Sequence, residues 1–472
     1  MGQEIARIEF SPEDFARFRH KVTEETERLV QLEKQGALSA RPPTGGFEIE
    51  AWLVDQDMRP APLNERYFEL LADPLASAEL ARFNIELNNL PRRLKDDALR
   101  RFHHDLEAIW RHASQTARRL DIHLLMIGIL PTLRQSDLTP ANMSPLNRYH
   151  ALNEQILRLR GQPLQLEITG NEHLACLHDD VMLESAATSF QIHLQAPLDR
   201  AVAFYNASIV ASAATVAAGA NSPYLFGRDL WAETRIPVFE QSIAIGGYGD
   251  AIHGPLQRVG FGSRYVTRRM TEVFEENLAH FPPLLPILFE EDTDSFPHLR
   301  LHNGTIWRWN RPLVGFDEDG KPHFRIEHRV LPAGPTVTDM IANAALYYGL
   351  AESLSHDPCR LPFAQARDNF YLATRHGWDA HVIWLDERRW RLRRLLLEEL
   401  IPLAREGLRR LGICHRDSEF YLDIIRQRVS GDQNGSQWQR RFVATHGKDF
   451  IRLTRTYLDL QQQGKPVHTW PI

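Results

Sequence analysis

The chain has 472 residues, 43% of them hydrophobic and 25% charged, which suits a globular protein of one large domain or two ordinary ones. Its formal charge of −6 supplies no basic field for nucleic acid. The opening MGQEIARIEFSPEDF has early acids and no apolar signal core, and the three cysteines (Cys176, Cys359, Cys414) form no CxxC pair, so a reducing, cytoplasmic setting is expected.

In chain order, residues 11–35 carry Phe15, Phe18, Val22, Leu29 and Val30 at helical spacing and read as an amphipathic leading helix. Residues 38–46 (LSARPPTGG) are a breaker-rich linker. GFEIEAWLVD (46–55) alternates like a strand, with Phe47, Ile49 and Ala51 opposite Glu48, Glu50 and Trp52. ARFNIELN (81–88) alternates again, with Glu86 on its polar face. A long helix over 95–119 leads into DIHLLMIGILP, which reads as a buried strand. TSFQIHLQA (188–196) puts Gln191, His193 and Gln195 on one face. Residues 198–218 read as a buried helix, and the Ala-rich stretch 207–220 is too short to span a bilayer, so no membrane partner is expected. Residues 246–262 carry six glycines and read as a mobile loop that closes over substrate. PHFRIEHRVL (322–331) sets Arg325, Glu327 and Arg329 opposite Phe324, Ile326, His328 and Val330. From 338 onward the pattern is mostly helical. The fold class is α+β: an antiparallel sheet backed by helices, then a helical C-terminal region.

Four strands each direct ionisable groups to one face: Glu48 and Glu50, Glu86, His193, and Glu327 with Arg329. Side chains two apart on a strand share a face about 7 Å apart. Taken singly, a Glu on an alternating strand is more often solvated than a ligand, and a lone His more often a satisfied core residue. Together, carboxylates on one concave face repel one another unless cations lie between them, and hard divalent cations take oxygen ligands. An interspersed Arg suits phosphate or a substrate carboxylate. The excess of Arg over Lys fits such recognition, and fits a high-GC genome equally well.

Rival chemistries find little support, since GxxxxGK[ST], HExxH and GxSxG are all missing. HGKD (446–449) reads as a surface turn, His103 and His104 as solvent-facing, and His178-Asp179-Asp180 as a loop turn, with metal binding as the alternative. TIWRWN (305–310) reads as core aromatics, with ring stacking as the alternative.

The ordered segments GFEIE, FNIELN, QIHLQ, ANSPYLFGRDLWAETR (220–235), GTIWRWNRP and FRIEHRV resemble signature segments of the glutamate–cysteine ligase superfamily, and are most similar to its second branch of carboxylate–amine ligases. ATRHGWDA, LIPLAREGLRRLGI and RQRVSGDQNGSQW extend the resemblance to residue 438. It implies a curved antiparallel sheet forming a glutamine-synthetase-like catalytic funnel, with ATP at one end and amino-acid substrates at the other. The implied domains are a helix and linker over 1–43, the catalytic domain over 44–355, and a helical region over 356–472 packed on it, which would cover the sheet or form a homodimer interface.

The implied reaction joins a carboxylate to an amine through an acyl phosphate. The implied cofactors are ATP and Mg2+, with Mn2+ as the other candidate, and the partners are an amino-acid substrate and an amine. By position, Glu48, Glu50, Glu86, His193 and Glu327 would bind the metals. Arg329 would stabilise the transferring phosphoryl group. Arg235 would bind phosphate or the acid, Arg311 phosphate, and Asn221 with Ser222 would shape that pocket. The chain departs from the family pattern at Gly128-Ile129-Leu130-Pro131 (usually Gly-Thr-His-Pro), at Gln191-Ile192-His193-Leu194-Gln195 (often His-Val-His-Val-Gly) and at Asn89 (often Thr). Polar groups near the substrate have therefore changed while the metal-type positions remain. Two alternatives stay open: a phosphotransferase of guanidino-kinase type, and a non-catalytic binding protein on a degenerate ligase scaffold.

Overall fold

The computed structural model describes residues 4–245, 256–357 and 360–472. Most of the expected lid, over 246–255, and Cys359 lie outside the described residues.

Helix α1 (Pro12–Lys34) starts on a capping box in which Ser11 and Asp14 satisfy each other's backbone N–H groups. It is tied to the rest of the fold by Glu33, whose carboxylate accepts from the Met270 and Thr271 N–H groups, and by Glu25, which accepts from Leu299 N–H. Then comes the main sheet: β1 (Thr44–Val54), β2 (Ala76–Ala78), β3 (Asn84–Asn88), β4 (Arg92–Arg93), β5 (His123–Leu125), β6 (Phe190–Gln195), β7 (Asn310–Phe316) and β8 (Pro322–His328). The order is β7-β8-β6-β1-β3-β2, with β4 and β5 also pairing β1, and every pairing is antiparallel. The sheet curls into a half-barrel.

One face of the sheet is apolar, as the alternation requires. Phe47, Phe190, Ile192, Leu194 and Ile326 are all buried in one core, with Phe47 and Phe190 stacked at 5.1 Å. Helices α2 (Ala98–Arg118), α3 (Ala201–Gly219) and α4 (Arg235–Ser242), then α5 (Val337–Leu354), follow in the chain. Every residue of α5 is buried, and α3 is nearly so. Residues 198–219 are long and apolar enough to cross a membrane, but 89% of that window is buried inside the fold.

The C-terminal region contributes α6 (Ile401–Leu411), α7 (His415–Ser430) and α8 (Phe450–Gln462), all packed on the same core. Helices α5 and α6 touch backbone to backbone: a Cβ on Gly407 would lie 1.9 Å from the Gly349 carbonyl oxygen. Arg428 on α7 pairs with Asp339 on α5 at 2.8 Å, both wholly buried. This region therefore covers the helices behind the sheet.

Two expectations need correction, and one element is added. Only His123–Leu125 of DIHLLMIGILP pairs as a strand, because the Ile127 carbonyl accepts from the Trp52 indole instead of from a neighbouring strand. His103 does not face solvent: it bonds the Tyr421 hydroxyl at 2.9 Å, since α7 lies against that side of α2. The hairpin Leu164–Thr169 and His173–His178 adds a strand pair that the sequence reading had not marked.

Candidate functional site

The second face of the sheet carries the ionisable groups, and cross-strand register sorts them into rows. The first row runs Arg311–Glu327–His193–Gly46. The second runs Gln191–Glu48–Asn88, with Arg329 donating Nη1 to Gln191 Oε1 at 2.5 Å. The third runs Glu50–Glu86–Ser77. Gly45, beside the first row, leaves room for Tyr348, whose hydroxyl donates to the His193 carbonyl; a Cβ there would lie 2.4 Å from that hydroxyl.

Two groups of ion-ligand side chains result. The ligand atoms of Glu48, His193 and Glu327 all lie within 4.8 Å of one another, and so do those of Glu50, Glu79 and Glu86. All five expected metal positions are thus brought together, and Glu79 joins them. Glu79 was missed because it follows a three-residue strand and belongs to no alternating run. Its signal is the hairpin itself, in which Ser77 on β2 faces Glu86 on β3.

The groups differ electrostatically. In the first, His193 Nε2 stands 2.9 Å from Glu48 Oε1. Burial alone would raise the Glu48 carboxyl, but His193 outweighs it and holds it at about 2. Glu327 accepts from Arg311 Nε (2.7 Å) and Nη2 (3.0 Å), and from Arg329 Nη1 (3.0 Å). Burial opposes its charge, yet Arg311 and Arg329 hold it well below the carboxylate range. In the second group no guanidinium or imidazole reaches the acids within ion-pair distance among the described residues. Glu50 accepts from Ser189 N–H, the Ser189 hydroxyl and Gln191 Nε2 at 2.6–2.8 Å. Glu86 accepts from Ser77 and Asn88. Burial, then the neighbouring Glu86 and Glu50, pushes Glu79 well above the usual range, and burial leaves Glu50 raised despite Arg329.

These features test the fit to divalent cations. Three carboxylates converge with no cation among them, which is an oxygen-ligand set short of positive charge. In the other group the buried His193 ring nitrogens complete no well-aligned hydrogen bond, leaving an imidazole between two carboxylates open as a ligand. Both sets fit.

The arginines and their neighbours fall differently from expectation. Arg329 lies centrally: the charges of Glu327, Glu50 and Glu48 all act on it, and its buried Nε has no hydrogen-bond partner among the described residues. Arg311 does not present itself to phosphate, because its register partner is Glu327 and its remaining Nη1 donates to the Gly304 carbonyl. Arg235 donates Nη2 to the Arg329 carbonyl at 3.0 Å, Nε to Glu233 at 3.3 Å, and lies over the Trp309 ring at 5.3 Å. Asn221 and Ser222 are 0% exposed. Asn221 is bonded to Glu233, Ala333, Tyr457 and Gln439, and the Ser222 hydroxyl accepts from Arg235 N–H, so the pair supports the start of α4. Trp307 and Trp309 are core residues, as expected. A cavity of about 800 Å3, lined in part by Arg59, Arg134, Phe226 and Phe450, includes none of the ion-ligand residues. The site is therefore identified by its chemistry.

The sequence matches glutamate–cysteine ligase family 2 over residues 44–459. The chain belongs to this family. It is similar in structure to glutamate–cysteine ligase from Francisella tularensis in complex with AMP, at 12% identity and a TM-score of 0.51, covering 92% of this chain and 96% of that one. A bifunctional glutathione synthetase from Pasteurella multocida aligns at 11% identity and a TM-score of 0.48, over 93% of this chain and 55% of that one. No curated protein matches the sequence. Membership in a ligase family accords with the acid-lined funnel. The ion-ligand residues of this chain stand on β1 (Glu48, Glu50), β3 (Glu86), β6 (His193) and β8 (Glu327), with Gln191 and Gln195 flanking His193 on its face.

Proposed function

We propose that the chain is an ATP- and divalent-cation-dependent carboxylate–amine ligase that forms an amide bond of γ-glutamyl type. The observation that carries this reading is the placing of two ion-ligand groups on one sheet face with Arg329 between them. Phosphoryl transfer relies on positioned cations and guanidinium groups more than on a covalent nucleophile.

The acid's carboxylate oxygen attacks the γ-phosphorus of ATP, and the bond to the ADP oxygen breaks. The amine nitrogen then attacks the acyl carbon, inorganic phosphate leaves and the amine's proton is released. Glu48, His193 and Glu327 would hold one cation, and Glu50, Glu79 and Glu86 another. Bound there, Mg2+ or Mn2+ would offset charge on the phosphates. Arg329, already oriented by Glu327 and Gln191, meets the equatorial oxygens of the transferring group. Arg235 fixes the backbone of Arg329 through its carbonyl. Arg311 clamps Glu327 and so sets the direction of that carboxylate. The two buried guanidinium contacts leave Glu327 little freedom, which is the preorganisation such a transition state requires.

The test is ADP release with Mg-ATP against a panel of amino acids and amines, singly and in pairs, with mass detection. ADP formed together with a product lighter by water than acid plus amine supports the reading. ADP with a phosphorylated product and no condensation refutes it in favour of a phosphotransferase. Absence of nucleotide binding refutes it in favour of a non-catalytic scaffold.

A further inference from the structure

Gln191 joins the two ion-ligand groups. It stands on β6, 2% exposed, with Glu48 as its register partner on β1. Its side chain makes two hydrogen bonds of opposite sense. Oε1 accepts from Arg329 Nη1 at 2.5 Å, and Nε2 donates to Glu50 Oε1 at 2.8 Å. A guanidinium has donors alone and a carboxylate has acceptors alone, so one orientation of the amide serves both. The same Arg329 Nη1 donates to Glu327 at 3.0 Å. A continuous chain of hydrogen bonds therefore runs Glu327–Arg329–Gln191–Glu50, from the first group to the second. Ser189 holds Glu50 as well, through its N–H (2.6 Å) and its hydroxyl (2.7 Å). Among the described residues Arg329 forms an ion pair with Glu327 and none with Glu50.

We propose that Gln191 is a positioning residue, a neutral spacer that keeps Arg329 off Glu50 and so keeps the second cation site open. This rests on the two-cation reading above and adds how the site holds its arginine and its acid apart. A guanidinium in contact with a carboxylate competes with a metal for the same oxygens, and such pairs are strong where water is scarce. Arg329 and Glu50 each bond the same buried amide, so each meets Gln191 in place of the other. Direct pairing would harm the site twice. Glu50 would be lost as a cation ligand, and Arg329 would turn away from the transferring phosphoryl group. The amide prevents both, because it satisfies one donor and one acceptor with no net charge. It orients Glu50 without neutralising it, which is what a carboxylate ligand needs from the residue behind it. A neutral imidazole, with one N–H donor and one acceptor nitrogen, would serve in the same way.

The experiment titrates the apo-protein with Mn2+ and reads the free ion by electron paramagnetic resonance. It compares wild type, Gln191→Met, Gln191→His, and Gln191→Met combined with Arg329→Gln. Methionine keeps the length of the side chain and loses both contacts. Wild type takes up two equivalents, one for each group. In Gln191→Met one equivalent binds about 10–100-fold more weakly, the scale of losing the support behind a metal ligand, and the other is unchanged. Gln191→His keeps both. Adding Arg329→Gln to Gln191→Met restores the weakened equivalent, since no guanidinium is left to pair with Glu50; a purely structural role for Gln191 would not be reversed in this way. Two equivalents of wild-type affinity in Gln191→Met overturn the proposal, and so does equal weakening of both. So does a double variant that melts like wild type in EDTA and still lacks the second equivalent. If the methionine variants do not fold, Gln191→Asn, whose shorter amide cannot reach both partners, is read in their place. Wild type that binds fewer than two equivalents refutes the two-cation reading itself, and this inference with it.

Discussion

Glu327→Gln and Glu50→Gln both remove a carboxylate from the proposed site, yet the structure separates them. Glu327 accepts three hydrogen bonds from Arg311 and Arg329, and all three side chains are buried. Removing its charge leaves two guanidinium groups with no counter-ion in contact among the described residues, and breaking a buried pair in this way destabilises by about 3–5 kcal/mol. Unfolding entropy near 2.1 cal/mol/K per residue, over 472 residues, is about 1 kcal/mol/K, so the melting midpoint falls by about 3–5 °C. Glu50 sits among Glu79 and Glu86, its carboxyl raised by burial and by the Glu86 charge. Glutamine there relieves repulsion and keeps a carbonyl oxygen to accept from Ser189. Its melting midpoint in EDTA stays level or rises. Both variants lose ligase turnover, because each removes a proposed cation ligand. Differential scanning fluorimetry with and without MgCl2, beside the ADP assay, reads all of this. Wild-type turnover in either variant refutes the metal assignment. Equal melting of Glu327→Gln and wild type refutes the argument that Glu327 is the counter-ion of two buried arginines.

The apo-protein loses stability as pH rises from about 7 to about 8.5, and Glu184→Gln flattens that slope. The folded state holds a proton on Glu184 up to about 8 that the unfolded chain releases near 4.5, so stability falls across that interval. Buried His302 and His328, held at about 4 and about 3, give the opposite slope below about 6.5, which is why the comparison starts at pH 7. Urea midpoints in EDTA measure it, and a rising wild-type slope refutes it. Gly349→Ala, which would place a Cβ 2.2 Å from the Ala404 carbonyl oxygen, destabilises by about 1–3 kcal/mol by forcing α5 and α6 apart. Unchanged urea midpoints there refute the close crossing.

Alternation on β1, β3, β6 and β8 made the polar face legible, because the two-residue period of a strand dictates which side chains share a side. That put Glu48, Glu50, Glu86, His193, Glu327 and Arg329 each on the polar face of its own strand; only the pairing brought those faces together. Glu79 escaped because it lies just past a short strand, where no period relates a residue to a face. Arg311 was visible but misjudged. Neither its strand nor the register that aligns it with Glu327 was marked in the sequence. The resemblance implied that Asn221 and Ser222 shape a pocket, yet Asn221 donates to the Tyr457 hydroxyl and accepts from Gln439, bonds between distant parts of the chain that hold it in the interior.

The amino-acid sequence by itself determined the fold class, the apolar helices behind the sheet and the types of residue on the sheet's working face. Those follow from local periodicity, which each segment carries alone. Only the tertiary structure decided the division of those residues into two groups, one neutralised by Arg311, Arg329 and His193 and the other short of positive charge. That division depends on strand order and register, which join residues as far apart as Glu48 and Glu327, and no local pattern encodes the offset between them.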